Sequence, residues 1–468
     1  MPAGWLNGEI AVIGLARSGR AVSTLLARTG ADVYASDTGS DGPLETTAAA
    51  LRKEEVDVQL GGHDLDRIAR ASLVVASPGV PPQAPPLARA RSRGIEIVSE
   101  VEIALRLLPN LSYIAISGTN GKTTTTALTA HLLASLGHRA VAAGNIGTPL
   151  AEIALSPTPP EWVALEISSF QLHDTPSISP RVGVLTNLSA NHLDRYARIE
   201  EYYGDKALLF RNAAASSFWV TNGDDVVVEA LAEAAAGIHC RFSVRGRSDA
   251  WIDRQRGILE VLGEPLVARS DLHLIGDHNV ANALAASLAV SLASEDHRTP
   301  QALGDLSRGL RTFQGLEHRI ESVGDVNGVL WINDSKSTNV ASTEVALRGM
   351  TRPTVLLLGG RHKGEPYTGL ADEIRRTVKV VIAYGEAAPI VEADLGNIVP
   401  IERLGSSFID VVEAARHAAS PGDVVLLSPA CSSYDMFENY EQRGREFKRL
   451  ARGAGSAKRE NATTRRKK

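Results

Sequence analysis

A segment that begins at residue 113, YIAISGTNGKTTTTALTA, joins a short apolar run, a tight polar loop and a helical pattern. Gly118 and Gly121 let backbone N–H groups turn toward an anion, and the first turn of the helix adds unpaired donors and its dipole. Lys122 supplies a positive charge for the β- and γ-phosphates, and Thr123 supplies a hydroxyl for Mg²⁺. The segment therefore predicts a loop that holds the triphosphate of ATP.

Two later apolar runs carry an acidic residue or a histidine at or just beyond their ends. Glu166 ends the run EWVALE, where it is placed to make a second Mg²⁺ contact. Capping of the following helix remains an alternative role for this acid. His192 and Asp194 lie just beyond the run RVGVLTNLS, at what should be the same edge of the sheet. We expect these residues to converge on the phosphate loop.

Two asparagines occur in the helical segment GDHNVANALAASLAVSLA. Asn279 and Asn282 are about one turn apart and should face the same side of the helix. Their amides could bind adenine or could cap the helix, and the spacing alone leaves both roles open.

The N-terminal stretch has the strand, helix and strand order of a nucleotide-binding βαβ unit. Asp37, at the end of the second strand, is placed to accept a ribose hydroxyl. Arg17 stands near the position where a dinucleotide fold needs its middle glycine, which disfavours NAD. We predict a nucleotide diphosphate site here.

The chain should be an α/β protein with three domains and a tail. Segments SFWVT, HCRFSV, ILEVL and LHLIG in residues 216–275 predict short strands, of which the later ones form an antiparallel patch. After residue 315, strands and helices largely alternate again, which predicts a second doubly wound sheet. The predicted domains are an N-terminal Rossmann-like nucleotide-binding domain (1–108), a central P-loop ATPase-like domain with a mostly parallel sheet and an antiparallel patch (109–315), a C-terminal Rossmann-like domain (316–453) and a disordered basic tail (454–468).

Composition excludes several other classes. The chain has 468 residues, two cysteines and a net charge of −5. Two cysteines favour a reducing cytoplasm, and no apolar run is long enough for a membrane span. The basic tail leaves the rest of the chain more acidic still, which argues against a nucleic-acid partner. We expect a cytoplasmic protein without stable membrane insertion.

Eight motifs together resemble the Mur ligase family: GTNGKT, GNIG, EISSFQL, NHLDRY, GDHNVANALAA, LEHR, NDSKSTN and SPACSSYDMFENYEQRG. The resemblance covers residues 9 to about 452. It implies a ligase that uses ATP to phosphorylate a carboxylate and then joins the acyl group to an amine. The last two motifs imply the member that adds D-glutamate to UDP-N-acetylmuramoyl-L-alanine during peptidoglycan precursor synthesis. We also expect a monomer.

The resemblance also assigns site residues. The ATP site is implied to contain Gly118, Thr119, Asn120, Gly121, Lys122, Thr123, Thr124, Asn279, Asn282, Arg319 and Asp334. The UDP-sugar substrate is implied to contact Arg17, Ser18, Asp37, Thr38, Gly79, Asn145, Ser168, Gln171 and His192. D-glutamate is implied to contact Lys336, Thr338, Lys363, Ser433 and Tyr440. The implied catalytic residues are Lys122, Glu166, His192 and Lys206. Two Mg²⁺ ions are implied, with Thr123, Glu166, His192 and Lys206 as ligands, the last through a carbamate.

Some positions depart from the family pattern. Asn191 stands where many relatives have an aspartate, which removes a negative charge near the second metal. Arg361 and His362 replace an acidic residue and a glycine, and Tyr440 replaces a phenylalanine. Three other functions compete with this interpretation: a folylpolyglutamate-type ligase, an ATPase that moves a partner, and an NAD-dependent dehydrogenase, which ranks last.

Overall fold

The computed structural model describes residues 7–189, 196 and 198–453. The predicted tail lies outside this range. The strands are β1 Ile10–Ile13, β2 Val33–Asp37, β3 Asp57–Leu60, β4 Leu73–Ala76, β5 Ile97–Ser99, β6 Ser112–Ser117, β7 Ala140–Gly144, β8 Trp162–Glu166, β9 Val182–Leu185, β10 Phe218–Asn222, β11 Ile238–Ser243, β12 Ala250–Asp253, β13 Ile258–Val261, β14 Glu264–Ala268, β15 Glu321–Val326, β16 Val329–Asn333, β17 Thr354–Gly359, β18 Val378–Tyr384, β19 Ile401–Arg403 and β20 Val424–Leu427. The α-helices are α1 Arg17–Arg28, α2 Gly42–Arg52, α3 Leu65–Ile68, α4 Pro85–Ser92, α5 Glu100–Leu107, α6 Lys122–Ser135, α7 Leu150–Ala154, α8 Ser169–His173, α9 Ile199–Ala207, α10 Val226–Ala232, α11 Asp277–Ala293, α12 Pro300–Thr312, α13 Val340–Arg348, α14 Ala371–Thr377, α15 Ala388–Leu395, α16 Phe408–Ala418 and α17 Tyr440–Ala451.

The chain divides into two compact units. The first holds the described residues up to Leu272 together with Asn279–Phe313, and the second holds His273–His278 and the described residues from Gln314 onward. The first unit contains two sheets and the second contains one. No helix in the described ranges is both long and apolar enough to cross a membrane.

The first sheet is fully parallel, in the order β3-β2-β1-β4-β5. All four residues of β1 are buried, as expected for a strand covered by helices on both faces. Gly14 follows β1 with φ +88°, a backbone conformation that favours glycine. A Cβ on Gly19 would lie 1.7 Å from the Gly14 carbonyl oxygen, so this glycine permits α1 to pack directly against the turn. The predicted βαβ opening is confirmed.

The central sheet has nine strands in the order β14-β13-β12-β11-β10-β9-β6-β8-β7. It is parallel except for the β12–β13 and β13–β14 pairs, so the predicted antiparallel patch is present. The prediction was wrong about LHLIG, which is not a strand, and it missed two strands, AWID (β12) and EPLVA (β14). Local apolar alternation did not distinguish them, because strand pairing depends on partners elsewhere in the chain.

Helix α5 joins the cores of these two sheets. Ile103 packs into the core of the first sheet, while Val101, Ala104 and Leu105 pack into the core of the central sheet. Ser99 caps the helix by accepting a hydrogen bond from the Glu102 N–H at 3.1 Å. One short helix therefore places both sheets in the same compact unit.

The third sheet has the order β15-β16-β20-β17-β18-β19 and is parallel except for the β15–β16 pair. The predicted doubly wound α/β unit is confirmed. Helices α14 and α15 and strand β19 were not predicted, since their short segments have weak periodicity. Strands β16, β20 and β17 are neighbours, so the loops after their carboxyl ends meet at one edge of the sheet.

Candidate active site

The predicted phosphate loop lies between β6 and α6. Gly118 has φ +136° and Gly121 has φ +80°, and both conformations favour glycine. Gly121 is the N-cap residue of α6, and no side chain caps this helix start. The first turn of α6 therefore presents its backbone N–H groups and the positive end of its dipole, as a bound phosphate requires. Thr123 and Thr124 lie in this first turn.

A second loop, after β9, holds the phosphate loop in place. The Thr119 and Asn120 N–H groups donate to the backbone oxygen and to Oδ1 of Asn187, each at 2.8 Å. The Thr186 hydroxyl donates to the Asn120 carbonyl at 2.6 Å, and a Cβ on Gly118 would lie 2.1 Å from that hydroxyl oxygen. The N–H groups of Thr119 and Asn120 thus position the loop.

Lys122 and Asn282 flank the loop. Lys122 Nζ donates to the carbonyl oxygens of Gly118 and Thr119 at 2.9 and 2.7 Å. Asn282 accepts from the Thr125 hydroxyl at 3.2 Å and donates to Asn279 Oδ1 at 3.1 Å. The two asparagines therefore share one face of α11, as predicted. Asn282 contacts α6 as well as Asn279, a packing role that neither of the two predicted roles included.

Glu166 ends β8, which pairs in parallel with β6 so that Ile116 and Glu166 are partners. The Glu166 side chain is buried. Asn145 Nδ2 donates to its Oε1 at 3.0 Å, whereas its Oε2 is buried and has no hydrogen-bond partner in the described part of the chain. A buried carboxylate oxygen in this state is suited to a cation, because leaving it unpaired is costly.

Lys206, in α9, reaches the end of β6 from the other side. Its side chain is buried, and Nζ donates to Ser117 Oγ at 3.1 Å. Burial lowers the pKa of Lys206 well below its ordinary value, and the charge of Lys122 adds to this effect, while Glu166 and Asp205 oppose it. Burial thus disfavours the charged ammonium form of Lys206.

A cavity of about 570 Å³ lies at the carboxyl edge of the first sheet. Six of the nine residues predicted for the UDP-sugar line this cavity: Arg17, Ser18, Asp37, Thr38, Gly79 and Asn145. Asp37 accepts backbone N–H groups of Leu15 and Gly39 at 2.7 and 2.9 Å. Ser168 and Gln171 form the capping box of α8 instead of lining this cavity.

The residues predicted for D-glutamate gather at the carboxyl edge of the third sheet. Lys363 Nζ donates to the Thr338 hydroxyl at 3.1 Å. Lys336 Nζ lies 3.9 Å from the centroid of the Tyr440 ring, a cation–π contact. Ser433 is buried in the loop that follows β20. The departure Arg361 pairs with Glu386 at 3.2 Å, with both side chains about half exposed.

Asp334 and Arg319 belong to the second unit. The buried Asp334 carboxylate accepts hydroxyls of Ser337 and Ser428 at 2.6 and 2.8 Å and the Ile320 N–H at 3.2 Å. Burial raises the pKa of Asp334 to about 6, against these hydrogen bonds and the charge of Arg319. Within its own unit, Asp334 thus anchors the turn after β16.

His192, Asn191 and Asp194 fall outside the described residues. Across the described ranges, no group of three or more His, Cys, Asp and Glu side chains is arranged to hold a metal ion. A metal ligand set assigned to His192 therefore stays a prediction.

The residues that hold the site loops were not predicted from the sequence. Thr186 and Asn187 could have been found, since polar residues directly after a buried strand were the signal used for Glu166. Tyr202, whose hydroxyl lies 3.1 Å from Thr119 Oγ1, and the buried Arg443 carry no such local signal.

Sequence comparison agrees with this architecture. The chain matches the descriptions "Mur ligase MurD-like, N-terminal domain" over residues 8–99, "Mur ligase middle domain" over 116–290 and "Mur ligase, glutamate ligase domain" over 318–431. The chain belongs to the Mur ligase family.

Individual relatives cover nearly the full length. The chain is 41% identical to the UDP-N-acetylmuramoylalanine–D-glutamate ligase of Salinibacter ruber, over 94% of this chain and 96% of the relative. It is 39% identical to the enzyme of the same name from Geotalea uraniireducens, over 96% and 99% of the two chains. Its fold is similar to that of the UDP-N-acetylmuramate-alanine ligase of Thermotoga maritima, with a TM-score of 0.58, 20% identity and coverage of 94% and 98%.

Proposed function

We propose that this chain is the ligase that joins D-glutamate to UDP-N-acetylmuramoyl-L-alanine, with ATP converted to ADP and phosphate, in peptidoglycan precursor synthesis. The relatives named above carry this activity in their names and align over nearly the whole chain. The structural observation that carries the proposal is that the phosphate loop, the Glu166 carboxylate and the Lys206 amine surround the end of β6. Phosphoryl transfer to a carboxylate uses such a phosphate-binding loop together with groups that can hold a metal ion.

The reaction has two steps. The substrate carboxylate attacks the γ-phosphorus of ATP, which forms an acyl phosphate and releases ADP. The amine of D-glutamate then attacks the acyl carbon, which forms the amide and releases phosphate. The backbone N–H groups at the start of α6 and the Lys122 ammonium stabilise the negative charge of the transferring phosphoryl group. Asn279 and Asn282 hold the adenine.

Mg²⁺ fits the residues at the end of β8. Glu166 Oε2 is buried without a hydrogen-bond partner in the described ranges, and Thr123 offers a hydroxyl in the first turn of α6. A bound Mg²⁺ would neutralise charge on the phosphate oxygens. We assign a first ion to Thr123 and Glu166 and a second ion to His192 and a modified Lys206.

We propose a carbamate on Lys206 because its amine is buried and burial disfavours the ammonium form. A neutral buried amine adds to CO₂ to give R–NH–COO⁻ and releases one proton. The product is an anion beside Lys122, so the like-charge repulsion that now lowers the pKa of Lys206 would become an attraction. The chemistry that supports the proposal is thus burial together with a neighbouring cation.

The two other substrates have separate sites in the proposal. The UDP-sugar occupies the cavity of about 570 Å³ beside the first sheet, with Asp37 near the ribose. The remaining UDP-sugar contacts are assigned to Arg17, Ser18, Thr38, Gly79, Asn145, Ser168, Gln171 and His192. D-glutamate is assigned to Lys336, Thr338, Lys363, Ser433 and Tyr440, where two ammonium groups can pair with its carboxylates.

We place three domains at residues 1–108, 109–315 and 316–453, and we propose that a cytoplasmic monomer carries the activity. The two cysteines, Cys240 and Cys431, are buried and form no disulfide, which suits a reducing compartment.

The decisive assay supplies purified protein with ATP, Mg²⁺, UDP-N-acetylmuramoyl-L-alanine and radiolabelled D-glutamate. We expect labelled UDP-dipeptide and one phosphate per amide formed. Incorporation only of L-alanine, into UDP-N-acetylmuramic acid, would reassign the chain to another step. ATP turnover that needs no amine would identify an ATPase.

A further inference from the structure

Arg443 is a fully buried arginine in α17. Its Nε donates to Ser335 Oγ at 2.9 Å, and its Nη2 donates to the backbone oxygens of Ser335 and Cys431 at 2.8 and 3.2 Å. Its Nη1 donates to the Ser432 oxygen at 3.4 Å. In the described part of the chain, these acceptors are neutral carbonyls and a hydroxyl. The guanidinium also interacts with the Tyr384 hydroxyl, and the Asp435 carboxylate acts on the same neighbours, Tyr384 and Cys431. A buried charge that is held in place by this many contacts is well suited to fixing the positions of the segments that it joins.

The acceptors of Arg443 belong to two loops at one edge of the third sheet. Ser335 follows β16 and directly precedes Lys336, while Cys431 and Ser432 follow β20 and directly precede Ser433. Strands β16 and β20 are parallel neighbours, so the guanidinium joins two adjacent loop starts. Each loop carries residues assigned above to D-glutamate.

The loop after β17 packs against the same group. The Arg361 N–H donates to the Ser432 oxygen at 2.9 Å. Gly360 has φ +129°, and a Cβ there would lie 2.3 Å from the Ser432 oxygen and 3.2 Å from Arg443 Nη1. This loop continues to Lys363. Three loops therefore pack around the Arg443 side chain.

Arg443 also acts on its own helix. Ser335 Oγ accepts from Arg443 and donates to the Tyr440 carbonyl at 2.8 Å. Tyr440 in turn holds the Lys336 ammonium over its ring. The hydrogen bonds thus connect the buried guanidinium to the Tyr440 backbone, and the Tyr440 ring contacts Lys336 at the edge.

We propose that Arg443 is a positioning residue that sets the geometry of the D-glutamate pocket by fixing the three loops that bear its side chains. This inference rests on the proposed function and adds a residue that touches no substrate. It predicts that Arg443 governs the use of the amino acid and leaves phosphoryl transfer to the carboxylate unaffected.

The planar fork of the guanidinium is the property that matters. Its donors reach acceptors in two loops at once, whereas a lysine ammonium is a point charge that cannot keep the same set. Arg443→Lys therefore retains the charge and removes the bridging. Since a misplacement of about 1 Å can cost about 10²-fold, we expect the KM for D-glutamate to rise ~10- to 100-fold.

Arg416 provides a matched control in the same unit. It also donates to backbone carbonyls, those of Leu450 and Ala451, at 2.7 and 3.2 Å, and its guanidinium lies 4.9 Å from the Trp331 ring centroid. These contacts join α16 to the end of α17 and do not involve the three loops. Arg416→Lys should therefore lower the unfolding temperature without a change in the KM for D-glutamate.

The test compares wild type, Arg443→Lys, Arg443→Ala and Arg416→Lys. Steady-state rates are measured against each substrate, and unfolding temperatures are recorded. Acyl phosphate formation is followed separately, without amine, by scrambling of an ¹⁸O label in the β,γ-bridge of ATP. We expect Arg443→Lys to raise the KM for D-glutamate alone, with wild-type scrambling. Added guanidinium ion at low millimolar concentration should partly restore Arg443→Ala.

Other outcomes overturn the inference. An unchanged KM for D-glutamate in folded Arg443→Lys, an equal rise for all three substrates, or slower scrambling would each contradict it. If Arg443→Ala does not fold, Arg443→Lys decides alone. If wild type scrambles the label and never incorporates D-glutamate, the proposed function fails and this inference fails with it. If the wild type is active and Arg443→Lys has an unchanged KM for D-glutamate, the proposed function stands and only this inference is refuted.

Discussion

Asn145 Nδ2 donates to Glu166 Oε1 at 3.0 Å, so the glycine-rich loop after β7 fixes one oxygen of a buried carboxylate at the end of β8. The other oxygen stays without a hydrogen-bond partner among the described residues. This asymmetry orients the second oxygen for a cation. It also links the wall of the cavity that we assign to the UDP-sugar, which contains Asn145, to the proposed metal ligand Glu166.

Glu166→Gln should lower kcat by ~10²–10³-fold, because removal of one charge stabiliser of phosphoryl transfer typically costs that much. The Mg²⁺ concentration for half-maximal rate should also rise. Glu161→Gln is the control, since Glu161 lies just before the same strand and is largely exposed. Wild-type Mg²⁺ dependence in Glu166→Gln would exclude this carboxylate as a metal ligand.

Lys122→Ala should remove most turnover, by ~10²–10³-fold in kcat, since the variant lacks the cation in the phosphate loop. Lys53→Ala, at an exposed position of the first unit, serves as the control and should retain wild-type rates. Stopped-flow binding of an ATP analogue separates loss of affinity from loss of chemistry. A near-normal kcat would refute the assignment of the phosphate loop.

Activity should depend on bicarbonate if Lys206 carries a carbamate. Enzyme degassed at low pH and assayed in CO₂-free buffer should lose activity and regain it with bicarbonate. Lys206→Ala should be inactive and should recover partly with added formate or acetate, which replace the carboxylate group. If bicarbonate does not change the rate of the degassed enzyme, and formate or acetate does not change that of Lys206→Ala, then Lys206 carries no carbamate.

Lys206 also gives a stability prediction with a defined sign. Its folded pKa is lowered by burial from the ordinary value of 10.5, so between that lowered pKa and pH 10.5 the unfolded chain binds a proton that the folded chain lacks. In CO₂-free buffer this contribution to the free energy of unfolding therefore increases with pH up to about that value. Lys206→Met should raise the unfolding temperature at pH 7 more than at pH 9.5. An equal effect at both pH values would contradict the lowered pKa.

Tyr440→Phe should change the KM for D-glutamate less than ~3-fold, because the ring that faces Lys336 Nζ is retained. Tyr440→Leu removes the ring, and a cation–π contact worth ~0.5–1 kcal/mol corresponds to roughly 2–5-fold in KM. Initial rates against D-glutamate measure both variants. A large effect of Tyr440→Phe would mean that the hydroxyl, which the phenylalanine of the family pattern lacks, binds the substrate.

The phosphate loop was predictable because its signal is local. A strand, two glycines with positive φ, a lysine and a helix start occupy consecutive positions, and short-range sterics and hydrogen bonds determine their conformation. The alternation of strands and helices likewise predicted the parallel sheets. The prediction of a strand at LHLIG was wrong because this segment has the composition of a strand but does not pair with another strand.

The amino-acid sequence by itself determined the α/β architecture, the phosphate loop and the strand ends that carry polar residues. Only the tertiary structure decided which of these residues meet: Lys206 and Ser117 are 89 positions apart, and Arg443 and Ser335 are 108 positions apart. Burial then lowered the pKa of one lysine and, among the residues that the structure describes, left one oxygen of Glu166 without a hydrogen-bond partner. Such properties depend on the surroundings that distant segments create, because desolvation and long-range hydrogen bonds have no signature in the local sequence.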